Sequence, residues 1–168
     1  MTMFFQSFVL TQALGLAALN AAMNGAYTWF LWRAEPQQAL FGEGGIAFDL
    51  ASTPVWIAAL STLFGVASIR KQLREGRVAL PDRSLQMLAP RLPRNIPARA
   101  GVMAVLGALA FSLPIAMMLQ SSGEDVISSE WAVGLKVALT VPLTLVIVPV
   151  VILTAVADVA RRPAFKPA

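Results

Sequence analysis

Residues 70–99 read RKQLREGRVALPDRSLQMLAPRLPRNIPAR. The stretch carries Arg70, Lys71, Arg74, Arg77, Arg83, Arg91, Arg94 and Arg99 against only Glu75 and Asp82, and a long apolar run lies on either side. Lys/Arg-rich segments beside membrane-length runs stay on the cytoplasmic face, so this connector sets both the class and the orientation. It divides the chain into a first transmembrane hairpin at 1–69, the connector at 70–99 and a second hairpin with a basic tail at 100–168.

Composition points the same way. Of 168 residues, 57% are hydrophobic and 13% charged, with a mean hydropathy of +0.69. Soluble domains are nearer about 45–50% apolar and about 25% charged. A globule of this composition lacks the polar surface to face water, so lipid is expected to cover it. The net charge of +4 is gathered beside the apolar runs, where anionic headgroups are the expected partner. No nucleic-acid motif accompanies it, and no nucleic-acid partner is expected. The chain has no cysteine and no histidine. Disulfides, thiolate chemistry, Cys/His zinc sites, His or Cys haem ligation and His-based acid–base catalysis are therefore excluded. No cofactor, metal site or catalytic residue is expected, and the chain is not read as an enzyme.

Four helices are expected, in an all-α integral membrane bundle built from two hairpins. About 20 residues at 1.5 Å rise cross the hydrocarbon core. The first helix, about 8–32, is too long for a signal-peptide core and is read as retained. Tyr27, Trp29 and Trp32 at its far end suit the headgroup interface. Its small-residue row Ala13, Ala17, Ala21, Gly25 allows another backbone to approach closely. Residues 33–49 form a turn-rich loop around Gly42, Gly44 and Gly45, with Phe41, Ile46 and Phe48 toward the interface. The second helix, about 50–69, has Pro54 near its start, where a missing N–H matters least; Asp49, Ser52 and Thr53 are alternative caps. Ser61, Gly65 and Ser68 mark a packing face. Within the connector, Asp82 begins either a short surface helix to Ala89 or a solvated basic loop. The third helix, about 100–119, has a packing row Ala100, Ala104, Ala108, Ser112, Ala116 with Gly101 and Gly107. Pro114 frees the Ala110 carbonyl and should bend it. Residues 120–130 are read as a polar turn. The fourth helix, about 131–156, contains Pro142 and Pro149.

Intramembrane polar residues are the candidate site. On the first helix Gln12, Asn20, Asn24 and Thr28 share one row with Leu16. An amide in hydrocarbon is costly unless bonded, so Asn20 and Asn24 are expected to face protein. They serve either as glue between helices or as a solute site. Lys136, Thr140 and Thr144 make a row on the fourth helix. Lys136 lies about 7–8 Å beyond Trp131, shallow enough to snorkel to the interface. Alternatively it pairs with a carboxylate of another segment, Asp49 first and Glu43 second. Arg70, Lys71, Arg74, Arg77, Arg83, Arg91 and Arg94 are expected at lipid headgroups.

The connector and tail hold all the basic residues except Arg33 and Lys136. Both termini are therefore placed in the cytoplasm, and the chain in an inner membrane. Any repeat of the halves is then parallel, about an axis along the membrane normal. Trp131 opening a helix, internal Pro142 and Pro149, and the basic exit Arg161–Arg162 resemble small uncharacterised two-helix membrane proteins of bacteria. The resemblance covers the last third of the chain and extends to the first half through short motifs. It implies a membrane location and carries no activity or site residue. The expected function is non-catalytic: an accessory, assembly or lipid-contacting scaffold subunit, partnered with itself or another membrane protein. The alternative is a small oligomeric transporter or channel using Asn20, Asn24 and Lys136.

Overall fold

The computed structural model describes residues 2–42, 44–78 and 92–160. Four helices dominate it: α1 (Thr2–Trp32), α2 (Ile46–Arg74), α3 (Ile96–Ser121) and α4 (Ser129–Ala160). Each is long and apolar enough to cross a membrane, and the chain is a multi-pass membrane protein of all-helical architecture. The last three run past both ends expected of them, and α1 starts earlier but ends at Trp32 as expected. α4, at 32 residues, is about 48 Å long if straight, against a hydrocarbon core of about 30 Å. The possible surface helix at 82–89 and the basic tail from Arg161 lie outside the described residues.

The prolines and glycines shape the helices differently from expectation. α2 starts at Ile46 behind Gly45, so Pro54 lies inside the helix and not in its first turn. None of the proposed caps acts as one. Ser52 and Thr53 instead donate back to the Asp49 carbonyl, at 3.1 and 2.7 Å. In α3 the bend ahead of Pro114 takes the form of a π-helical turn at Ala108–Ser112. A proline ring clashes with the carbonyl four residues before it, and a widened turn moves that carbonyl aside.

Both loops remote from the arginines contain a strand that the sequence reading treated as turn. β1 (Gln37–Ala39) pairs antiparallel with β2 (Val126–Ser128), with Gln38 opposite Ile127. Leu40 N–H donates to the Asp125 carbonyl at 2.8 Å and Ser129 N–H to that of Pro36 at 3.1 Å, extending the seam. Ile46 and Trp32 are also drawn inward here, joining Leu40, Leu50, Leu119 and Ala132 in one apolar cluster. Trp32 is thus a core residue, whereas Tyr27 and Trp29 stay exposed as interface residues should.

α4 packs on α1 and α2, and α2 packs on α4 and α3, giving the order α1–α4–α2–α3. Every one of these interfaces joins the first half of the chain to the second. Small residues permit the contacts: Ala13 and Ala17 of α1 are buried. A Cβ on Gly107 of α3 would lie 3.0 Å from the Pro54 carbonyl oxygen of α2. The order is unchanged when the halves are exchanged, as a parallel repeat requires. Arg70 and Asp158, in contact, are 88 residues apart, the spacing that also separates Pro54 from Pro142.

Candidate functional site

Because α1 and α2 both lean on α4, a cleft opens between them with α4 as its floor. Toward the ribbon it widens to a cavity of about 400 Å³ bounded by Asn20, Asn24, Tyr27, Asp49, Ser52, Thr53, Trp56, Ser61 and Lys136, among others. Toward the arginines it continues as a cavity of about 320 Å³ lined by Gln12, Leu16, Phe64, Gly65, Ser68, Val148, Val151 and Ile152. The two share Asn20, Leu60 and Ser61. Five of the six intramembrane candidates therefore converge on one feature. Thr140 is the exception: it is buried and donates to the Val137 carbonyl at 3.0 Å.

The amides behave differently from one another. Asn20 Nδ2 donates to Thr144 Oγ1 at 2.9 Å, an α1–α4 bond of the expected kind. Thr144 in turn donates to the Thr140 carbonyl at 2.7 Å. Asn24 makes no such interhelical bond among the described residues; its Nδ2 reaches the Asn20 carbonyl at 2.9 Å, one turn back on its own helix. Asn24 is a cleft residue more than a helix fastener. Ser61 and Ser68 likewise line the cleft. Gly65 meets α4 closely, at Val151.

Lys136 Nζ contacts Asp49 Oδ2, joining α4 to α2. The lysine does not snorkel: only 3% of it is exposed. Its stem is packed between helices, and its ammonium meets a carboxylate one helix away. The Asp49 side chain remains 31% exposed toward the cleft. Glu43, the second choice of partner, lies outside the described residues.

At the opposite end stands a charged cluster that sequence reading missed. Arg99 is 1% exposed and donates Nη2 to Asp158 Oδ1 at 3.0 Å and Nε to the Pro93 carbonyl at 2.8 Å. Its Nη1 lies 2.8 Å from Oδ2 without hydrogen-bond geometry, so that contact is purely charge–charge. Arg70 Nη2 donates to Asp158 Oδ2 at 2.6 Å and to the Arg94 carbonyl at 3.1 Å. Arg70 is therefore turned inward instead of toward headgroups. Lys71, Arg74, Arg77 and Arg94 are exposed, as headgroup contacts must be. Lys71 and Arg77 lie 3.9 and 3.0 Å from Glu75. Arg83 and Arg91 lie outside the described residues. The available signal was Asp158, a carboxylate at the end of an apolar run, which needs a cationic partner.

Asp49 and Arg70 are 21 positions apart on α2, about 31 Å along the axis. That is close to a hydrocarbon thickness of about 30 Å. Among the described residues no group of metal-liganding side chains forms. Comparison with protein-family models, curated proteins and solved structures finds no match for this chain.

Proposed function

We propose that the chain is a non-catalytic, lipid-contacting scaffold or accessory protein of the inner membrane, with both termini and the arginine-rich connector in the cytoplasm. The observation that carries this reading is the cleft: α1 and α2 stand apart along the hydrocarbon depth and leave a concave, part-polar surface facing the bilayer. Exposed Lys71, Arg74, Arg77 and Arg94 suit anionic headgroups at the cytoplasmic face. A second reading, a small transporter, is favoured by the convergence of Asn20, Asn24, Asp49 and Lys136 on one cavity. Against it, Lys136, the cation of that cavity, is buried and held by Asp49. The test is reconstitution: vesicles holding the protein should leak small neutral solutes no faster than empty ones, while protein extracted with native bilayer keeps bound lipid. Solute flux abolished by Asn20→Leu and Asn24→Leu would replace the scaffold reading with transport.

A further inference from the structure

Resting on the lipid-contacting reading, we propose that the α1–α2 cleft binds an amphiphile with an ammonium headgroup and an aliphatic chain. The charged residues lining the polar compartment near the ribbon are Asp49 and Lys136. Lys136, the cation there, is buried and held by Asp49 Oδ2. Among the described residues Asp49 Oδ1 accepts no hydrogen bond, although the side chain is 31% exposed toward the cavity. Asn24 Nδ2 donates one N–H to the Asn20 carbonyl, and its amide oxygen is a further acceptor in the cavity. Tyr27 and Trp56 flank the same space, each more than half exposed. A carboxylate oxygen without a hydrogen bond, in a cavity also lined by two aromatic side chains, is chemistry that suits an ammonium.

The second compartment suits the tail. It continues from the first through Asn20, Leu60 and Ser61 and is walled by Leu16, Phe64 and Val148. Volumes of about 400 and 320 Å³ fall within the range of ligand cavities, about 300–1,000 Å³. The polar part begins at the depth of Asp49, and the apolar part lies deeper, toward the arginine end of α2 between Leu60 and Ile69. That is the direction in which a lipid of the ribbon-side leaflet points. Two sources offer this chemistry, a phosphatidylethanolamine of the bilayer or a free alkylammonium.

The experiment uses the full chain in nanodiscs with three probes: dioleoyl phosphatidylethanolamine, dioleoyl phosphatidylglycerol and dodecylammonium. Retention is read by native mass spectrometry. The ethanolamine lipid or dodecylammonium should be retained at least ten-fold over the glycerol lipid; which one is retained identifies the source. Trp56→Ala should weaken retention about 2–30-fold, the range of a desolvated cation–π contact. The variant Asp49→Asn with Lys136→Met removes the carboxylate without stranding a buried lysine, so it should fold and lose the preference. Equal retention of both lipids overturns the ammonium assignment and leaves the lipid-contacting reading standing. A preference that survives in the double variant overturns the role of Asp49. Retention of no probe overturns both readings.

Discussion

Asp49 has one cation and Asp158 has two, and the difference sets what each substitution does. Removing Asp158 leaves Arg99, 1% exposed, as a buried charge without its carboxylate. Asp158→Asn is therefore expected to cost about 3–5 kcal/mol, the range for breaking a buried pair from one side. Arg70→Met should cost clearly less, because Asp158 keeps Arg99 and the Arg70 side chain is 16% exposed. Denaturation in detergent, followed by helical circular dichroism, checks the ranking. For Lys136 and Asp49 a double-mutant cycle with Lys136→Met and Asp49→Asn should show coupling of about 0.5–3 kcal/mol. Additive effects would mean that the pair does not fasten α2 to α4. Sequence offered this contact as the alternative to snorkelling, because Lys136 has no acidic neighbour on its own helix face and Asp49 stands at a similar depth. The Arg99–Asp158 contact was not legible. Both residues read as members of basic segments, and only packing shows that their side chains turn inward.

At the scale of elements, helix contacts depend on a few positions where a side chain would not fit. Gly107→Val places atoms against the Pro54 carbonyl and the Ala58 methyl, and overpacking of this kind costs about 1–3 kcal/mol. Gly101→Val, with nothing within 4 Å of its would-be Cβ, should stay within about 0.5 kcal/mol of the parent. Thermal unfolding of the two variants separates a close-packed glycine from a merely small residue. The four helices were readable because length and hydropathy alone reveal a membrane span. Their true ends were not, since nothing in an apolar helix marks where it leaves the hydrocarbon. The strands were hidden for another reason. Three residues carry no period-two pattern, and each strand's partner lies in the other half of the chain.

For the whole molecule, charge asymmetry predicts that an Asn95→Cys label is reached by an impermeant reagent only after the cells are opened, and a Ser121→Cys label from outside. The reverse pattern would invert the proposed topology. What sequence could not supply is the helix order, because a hairpin is the default for helices joined by a short loop. Here the ribbon links the two loops of the halves, and α1 leaves its sequence neighbour to lie on α4. The chain lacks cysteine, so disulfide trapping in native membranes tests this arrangement directly. A Gly25 Cβ would lie 3.0 Å from Val137 Cγ2, so Gly25→Cys with Val137→Cys should bridge readily, within the reach of about 3.5–4.5 Å between Cβ atoms. Leu16→Cys with Phe64→Cys, on opposite walls of the cleft, should stay reduced under the same mild oxidant. A Leu16–Phe64 bridge with no Gly25–Val137 bridge would contradict the interleaved order and close the cleft.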